Sequence, residues 1–186
     1  MRRIIESVKS LLSPRRMVDD KKFNRAIEVI LAHEGGVSDH KNDRGGKTAY
    51  GISSRFINAE KINYDINTLT RDQAVIIYKT YFWDRYNYTK LNDEKIATKV
   101  FDMSVNMGPK NAAEILQEAI QSLLPNNAVL IDGNIGAKTI KYANQINPGL
   151  LIIKLRELQK EYYENIVFDD PTQKVFLKGW LKRAAW

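Results

Sequence analysis

Apolar positions recur at helical spacing along most of this chain. Phe23, Ala26, Ile27, Ile30 and Leu31 fall three and four residues apart and predict a helix over 22–33. Ser53 to Ala59 predicts a second. Thr70, with Gln73 three residues on, forms a capping box for a helix carrying Ala74, Val75, Ile77, Tyr78 and Tyr81. Ile96, Val100, Met103, Ser104 and Met107, with Phe101 and Val105 beside them, predict a helix over 95–107 that Gly108 and Pro109 end. Ile115, Leu116, Ala119, Ile120 and Leu123 predict one over 112–124. Leu151, Leu155, Leu158, Tyr162 and Ile166 mark the apolar face of a helix over 150–167, and Pro171 marks the break after it. Strand-type alternation is scarce. The pattern predicts a mainly α fold with at most a short β-hairpin around residues 37–52.

The first 21 residues stand apart as an N-terminal extension. Ile4, Ile5, Val8, Leu11 and Leu12 share one helical face, and Pro14 ends the run. Two readings fit: a short helix packed on the domain, or a basic amphipathic helix making weak membrane contact through residues 1–13. Packing is the more ordinary use of such a stripe. Glu6 and Lys9 interrupt the apolar run and no small-residue cleavage site follows cleanly, so there is no clear signal peptide. No stretch approaches the ~20 apolar residues of a membrane span.

Composition narrows the chemistry. A chain of 186 residues suits one domain, or one with a small appendage, and buries a core without covalent staples. With no cysteine, disulfides and thiolate metal sites are excluded. A net charge of +7 favours polyanions: nucleic acid, anionic membrane, or bacterial wall with its carboxylates and phosphates. The basic residues are spread along the chain without a recognition motif, so specific nucleic-acid binding ranks last. His33 and His40 are the only histidines, too few for a typical zinc hydrolase site, and no metal or cofactor is expected.

The densest concentration of polar chemistry lies in residues 33–52, HEGGVSDHKNDRGGKTAYGI. Glu34 ends the first helical run, and Gly35-Gly36 is a helix stop. A glycine-rich segment then brings Asp43 and Thr48 back towards it. An acid that protonates a leaving oxygen, with a second polar group to handle water, is the inventory of glycoside hydrolysis. From residue types alone, the same stretch also reads as a solvated helix end followed by ordinary loop residues.

Glu34-Gly35-Gly36, Asp43, and Gly45-Gly46-Lys47-Thr48-Ala49-Tyr50-Gly51-Ile52 resemble the signature of the glycoside hydrolase family 108 lysozyme-like muramidases, which are phage endolysins and secretion-associated enzymes. Where that family often has a proline-containing turn, this chain has Ser38-Asp39-His40-Lys41. The spacing of Glu34, Asp43 and Thr48 also resembles the Glu/Asp/Thr triad of phage-type lysozymes. Tyr81-Phe82-Trp83-Asp84 and Phe101-Asp102-Met103-Ser104-Val105-Asn106-Met107-Gly108-Pro109, followed by Ala112-Ala113 and Leu116-Gln117, extend the likeness. Asp132-Gly133-Asn134-Ile135-Gly136-Ala137-Lys138-Thr139 and Gly179-Trp180-Leu181-Lys182-Arg183 resemble the family's C-terminal peptidoglycan-binding region. In physical terms the first of these phrases is a tight turn with glycine at positive φ, and Thr139 or a nearby polar group caps the next helix.

The resemblance implies a lysozyme-like helical fold, with a catalytic region at 22–110 and a helical peptidoglycan-binding region at 111–186, packed as one body. It implies an N-acetylmuramidase that cleaves the β-1,4 bond from N-acetylmuramic acid to N-acetylglucosamine and acts on peptidoglycan in the periplasm or wall, as a monomer. Glu34 would be the general acid, held protonated by partial burial. Asp43 would be the base or electrostatic partner, and Thr48 would orient water. Tyr50, Trp83 and Asn106 are the expected substrate-binding residues. Trp83 is alternatively plain core, and Asp102 and Asn106 are structural or cleft-lining groups. Carboxyls roughly 6.5–9.5 Å apart would leave room for water and invert the anomer. The rivals are a lytic transglycosylase using Glu34 alone and a non-catalytic wall-binding protein.

Overall fold

The computed structural model describes residues 20–34, 48–124 and 128–186. The extension through residue 19, the segment 35–47 with Asp43, and the turn at Pro125-Asn126-Asn127 lie outside the described residues. The described chain is mainly α-helical, as the apolar periodicity predicts, with one small antiparallel sheet. It divides into two compact units, Met1–Arg85 and Tyr86–Trp186.

In the first unit, helix α1 (Lys21–Glu34) buries Phe23, Ala26, Ile27 and Ile30. It begins one residue earlier than the periodicity predicts, because Asp20 caps it. The Asp20 carboxylate accepts from the Phe23 backbone N–H at 2.9 Å. Asp20 and Lys21 therefore belong to the folded unit and not to the extension. Strands β1 (Thr48–Ala49) and β2 (Ile52–Ser53) pair antiparallel, Thr48 opposite Ser53 and Ala49 opposite Ile52. Ser53 then caps α2 (Ser54–Ala59), its hydroxyl accepting from the Phe56 N–H. The capping box at Thr70 and Gln73 forms as predicted and opens α3 (Arg71–Tyr78).

Beyond Tyr78 the structure departs from the predicted α-helix. Lys79–Asp84 widens into a π-helical segment. A turn closing five residues on brings the fifth residue back over the first, so Tyr78, Phe82 and Trp83 are all buried together. Trp83 lies against Phe23 at a ring separation of 5.6 Å, and its indole N–H donates to Asp20 at 3.0 Å. One carboxylate thus caps α1 and grips the π-helical segment.

The second unit holds α4 (Glu94–Met107), α5 (Pro109–Leu123), α6 (Ala137–Gln145), α7 (Pro148–Asp169) and α8 (Lys174–Ala185). Gly108, at φ 90°, ends α4, and Pro109 opens α5 with the pre-set φ that suits a first helical position. The apolar face predicted for α7 is rotated: Leu151 and Leu155 are buried, but so are Gln159 and Tyr163, while Leu158, Tyr162 and Ile166 are only half-buried. The two side chains bond one another and α4, although Gln159 Oε1 has no hydrogen-bond partner among the described residues. The Gln159 amide donates to the Tyr163 hydroxyl at 2.9 Å, which donates to Asn106 Oδ1 at 2.7 Å.

Helix α4 is buried continuously from Ile96 to Ser104, polar residues included. Its Lys99 donates to the backbone carbonyls of Arg183 and Ala184 at 3.1 and 2.9 Å, at the C-terminal end of α8 where carbonyls lack helical partners. Its Asp102, also fully buried, receives Arg183 through Nε at 3.0 and 3.1 Å and through Nη2 at 2.8 Å. Burial first, then Arg156 and Arg183, pull the Lys99 ammonium down to about 8 against the opposing Asp102.

Asp20→Ala removes a helix cap and the Trp83 partner together. It should lower stability by roughly 1–3 kcal/mol in urea denaturation. Lys99 sets a pH dependence. Its folded pKa lies below the unfolded value of 10.5, so between about 8 and 10.5 the unfolded chain binds the extra proton and stability from this group rises with pH. Burial pushes the Tyr163 phenol up to about 12 and the Tyr88 phenol up as well, so both oppose the rise once unfolded tyrosines ionise near pH 10. Denaturation at pH 7 and 9.5 should therefore favour wild type over Lys99→Met by about 2 kcal/mol more at the higher pH. A pH-independent difference would contradict this.

Candidate active site

Glu34 is the last residue of α1, so the capped helix delivers it to the start of the glycine-rich segment. Asp43 lies outside the described residues. Thr48 heads β1, and the chain reverses immediately after Ala49. Tyr50 at φ 53° and Gly51 at φ 77° form the two-residue connection. Two positive φ angles in succession are what a type I′ hairpin turn requires, and its twist matches that of the strands it joins. The hairpin expected around 37–52 is therefore seen at 48–53. Ala49 and Ile52 point into the core, and the pleat leaves Thr48, Tyr50 and Ser53 half-buried.

The turn is tied to the rest of the unit. Tyr78, at the end of α3 and almost fully buried, donates its hydroxyl proton to the Tyr50 backbone carbonyl at 2.8 Å. Sequence reasoning placed Tyr78 in a helix but missed this bond, because no local pattern announces a contact 28 residues away.

The other expected substrate-binding residues are not part of the hairpin. Trp83 has no exposed surface, and a sugar cannot stack on a ring without an accessible face, so its placement here is that of core. Asn106 is exposed on α4, in the second unit, with its carbonyl taken by Tyr163. Asp102 is structural, as the partner of Arg183. Thus Thr48 and Tyr50 share one hairpin, Trp83 supports the start of α1, and Asn106 belongs to another compact unit. Asp20 was missed as a supporting residue, although an Asp immediately before a helical pattern is a cap signal.

The wall-binding phrase is built around a buried amide. Gln117 on α5 accepts at Oε1 from the Asp132 and Gly133 backbone N–H groups, each at 3.0 Å. Its Nε2 donates to Asp132 Oδ1 at 2.8 Å and to the Asn134 carbonyl at 2.9 Å. The Gln117 amide, first, and the Asn134 N–H hold the Asp132 carboxyl below its ordinary range. Gly133 has the expected positive φ, at 72°, and a Cβ there would meet Lys110 at 2.6 Å. The expected threonine cap is not found. Gly136 takes the N-cap position without a side-chain bond, and Thr139 lies buried one turn further in, its hydroxyl near Gln117 and the Asn134 carbonyl. A cavity of about 290 Å³ runs between α5 and α7, lined in part by Glu114, Glu118, Glu161 and Tyr162. Burial, then Glu114 and Glu161, raise the Glu118 carboxyl.

Comparison with known proteins gives two successive regions. Residues 27–108 match the family described as Glycosyl hydrolase 108, and residues 111–185 match the Predicted Peptidoglycan domain. No curated protein matches. Among solved structures the chain is similar to Brucella abortus SagA, at 26% sequence identity and a TM-score of 0.73, over 88% of this chain and 89% of that one. The chain thus carries a glycosyl hydrolase 108 region of mainly α, lysozyme-like fold, followed by a peptidoglycan-binding region.

Proposed function

We propose that this protein is an N-acetylmuramidase that hydrolyses the β-1,4 bond from N-acetylmuramic acid to N-acetylglucosamine. The observation that carries the reading is the union, in one chain, of a glycosyl hydrolase 108 region with a peptidoglycan domain. Local geometry supports the division of labour. A helix capped at Asp20 ends on Glu34, and a hairpin presents Thr48 soon after. Glu34 is the general acid, and must hold its proton near neutrality to give it to the leaving oxygen. Asp43 is the base or electrostatic partner of the attacking water, and Thr48 orients that water. Tyr50, at the apex of the hairpin, contacts the sugar. The enzyme is made in the bacterial cytoplasm, acts on peptidoglycan in the periplasm or wall, and works as a monomer.

Glu34→Gln should keep the fold and wall binding and abolish wall cleavage, because an amide has no proton to give up. Melting temperature, pull-down on purified peptidoglycan and turbidity loss test this together. A folded variant with near-normal lysis removes Glu34 from the mechanism. The product tests the reaction class. Added water leaves a free reducing end on the muramic residue, whereas attack by the sugar's own hydroxyl leaves an anhydro product one water lighter. Mass spectrometry of the digest should show reducing muropeptides, and a ladder of anhydro-muropeptides alone would make the enzyme a lytic transglycosylase.

A further inference from the structure

Tyr50 adopts a backbone conformation that an aromatic residue rarely takes. Its φ of 53° lies in the left-handed region, where the Cβ of an L-residue crowds the following carbonyl. Such a residue persists only when its surroundings over-determine it. Among the described residues the strands on either side are two residues each, a length at which pairing alone holds a turn weakly. Burial of Ala49 and Ile52 fixes which face of the hairpin turns inward but does not fix the apex.

The apex is held by the Tyr78 hydroxyl, 2.8 Å from the Tyr50 carbonyl. Tyr78 is well placed for the task. It is 1% exposed, its ring packs on Phe82 at 5.6 Å, and it sits where α3 passes into the π-helical segment. The other end of α3 is closed by the Thr70–Gln73 capping box. The hydroxyl is therefore positioned by a rigid element and not by a loop. Because the turn is only two residues long, any change of φ at Tyr50 moves both Thr48 and the Tyr50 ring.

We propose that Tyr78 is a positioning residue of the hydrolytic site: by bonding the Tyr50 carbonyl it locks the left-handed turn and sets where Thr48 and the Tyr50 ring stand against the substrate. The proposal rests on the reading of Thr48 as the residue that orients water. It assigns Tyr78 no contact with substrate.

Tyr78→Phe removes one oxygen and keeps the ring. Amide hydrogen exchange at Gly51 and Ile52 should quicken by roughly five- to tenfold, the loss of one hydrogen bond, while α1 and α3 amides exchange as before. On peptidoglycan, kcat should fall about tenfold with KM changed much less, since water is oriented in the transition state. Tyr50→Asn supplies the second arm, because Asn tolerates the left-handed region and Asn-Gly favours a type I′ turn. In that background Tyr78→Phe should have little further effect on exchange or kcat. Should Tyr78→Phe alone fail to fold, a folded double variant with the turnover of Tyr50→Asn supports the proposal. Wild-type exchange and kcat in Tyr78→Phe, multiplicative effects in the double variant, or a double variant that also fails to fold would each overturn it. Thr48→Ala, assayed in parallel, separates the two readings. A wild-type rate there defeats the role of Thr48, whereas an impaired rate beside an unimpaired Tyr78→Phe defeats only the positioning role.

Discussion

The candidate site depends on a reversal of the chain within two residues. Strand side chains alternate with a period of two, so the turn between Ala49 and Ile52 decides the facing of every residue beside it. A one-residue slip would bring Thr48 inward and expose Ala49 and Ile52, both of which are buried. The primed turns that match the twist of so short a hairpin need positive φ at the first central residue, and here that residue is aromatic. That strain is held by a hydroxyl on a helix, and the helix is held in turn by its own cap. The site thus hangs from helix ends: Asp20 at the start of α1, Thr70 at the start of α3, Ser53 at the start of α2.

The second unit meets a different constraint. Its central helix carries Lys99 and Asp102 wholly into the core, and both are satisfied by α8. A buried ion pair is poor evidence of stability, because desolvation offsets most of the attraction. Its effect here is directional. The forked Arg183–Asp102 pair and the two carbonyl contacts of Lys99 admit one register of α8 against α4, whereas an apolar face alone would tolerate sliding. Gln117 plays a comparable part for the Asp132–Asn134 turn: four hydrogen bonds from one amide shape a loop that local propensity would leave free.

Much of this was legible in the sequence. Helices with regular apolar spacing lie where the spacing puts them, and the Thr70–Gln73 box forms as written. Gly133 and Gly108 take positive φ where turn chemistry asks for it. The resemblance around Glu34 falls within the region that matches glycosyl hydrolase 108. What the sequence hid was long-range pairing. The Tyr78–Tyr50 bond, the Asp20–Trp83 bond and the Lys99–Ala184 bond join residues 28, 63 and 85 positions apart. Periodicity reports a residue's face and not its partner. For the same reason periodicity does not give the buried face of α7, since Gln159 and Tyr163 look like surface until their bonds to one another and to Asn106 are seen. For Trp83, sequence left two uses open, and the buried ring packed against Phe23 is placed as core.

Helix α4 shows that sequence regions and packing units need not share a boundary. The glycosyl hydrolase match runs to residue 108 and the peptidoglycan match begins at 111, so Glu94–Met107 lies in the hydrolase region. By packing it is the core of the second unit, which begins at Tyr86. Gly108 and Pro109 account for this. A positive-φ glycine followed at once by a proline ends one helix and starts the next without a linker, and a joint so short obliges α4 and α5 to pack as neighbours. The helix at the end of the hydrolase region therefore supplies a surface on which α5 and α7 pack, and Lys99 and Asp102 make charged contacts from it to α8. A peptidoglycan-binding segment cut at the sequence boundary would lose the helix that carries its buried polar pairs. The last helix of the hydrolase region is thus also part of the packing of the second unit.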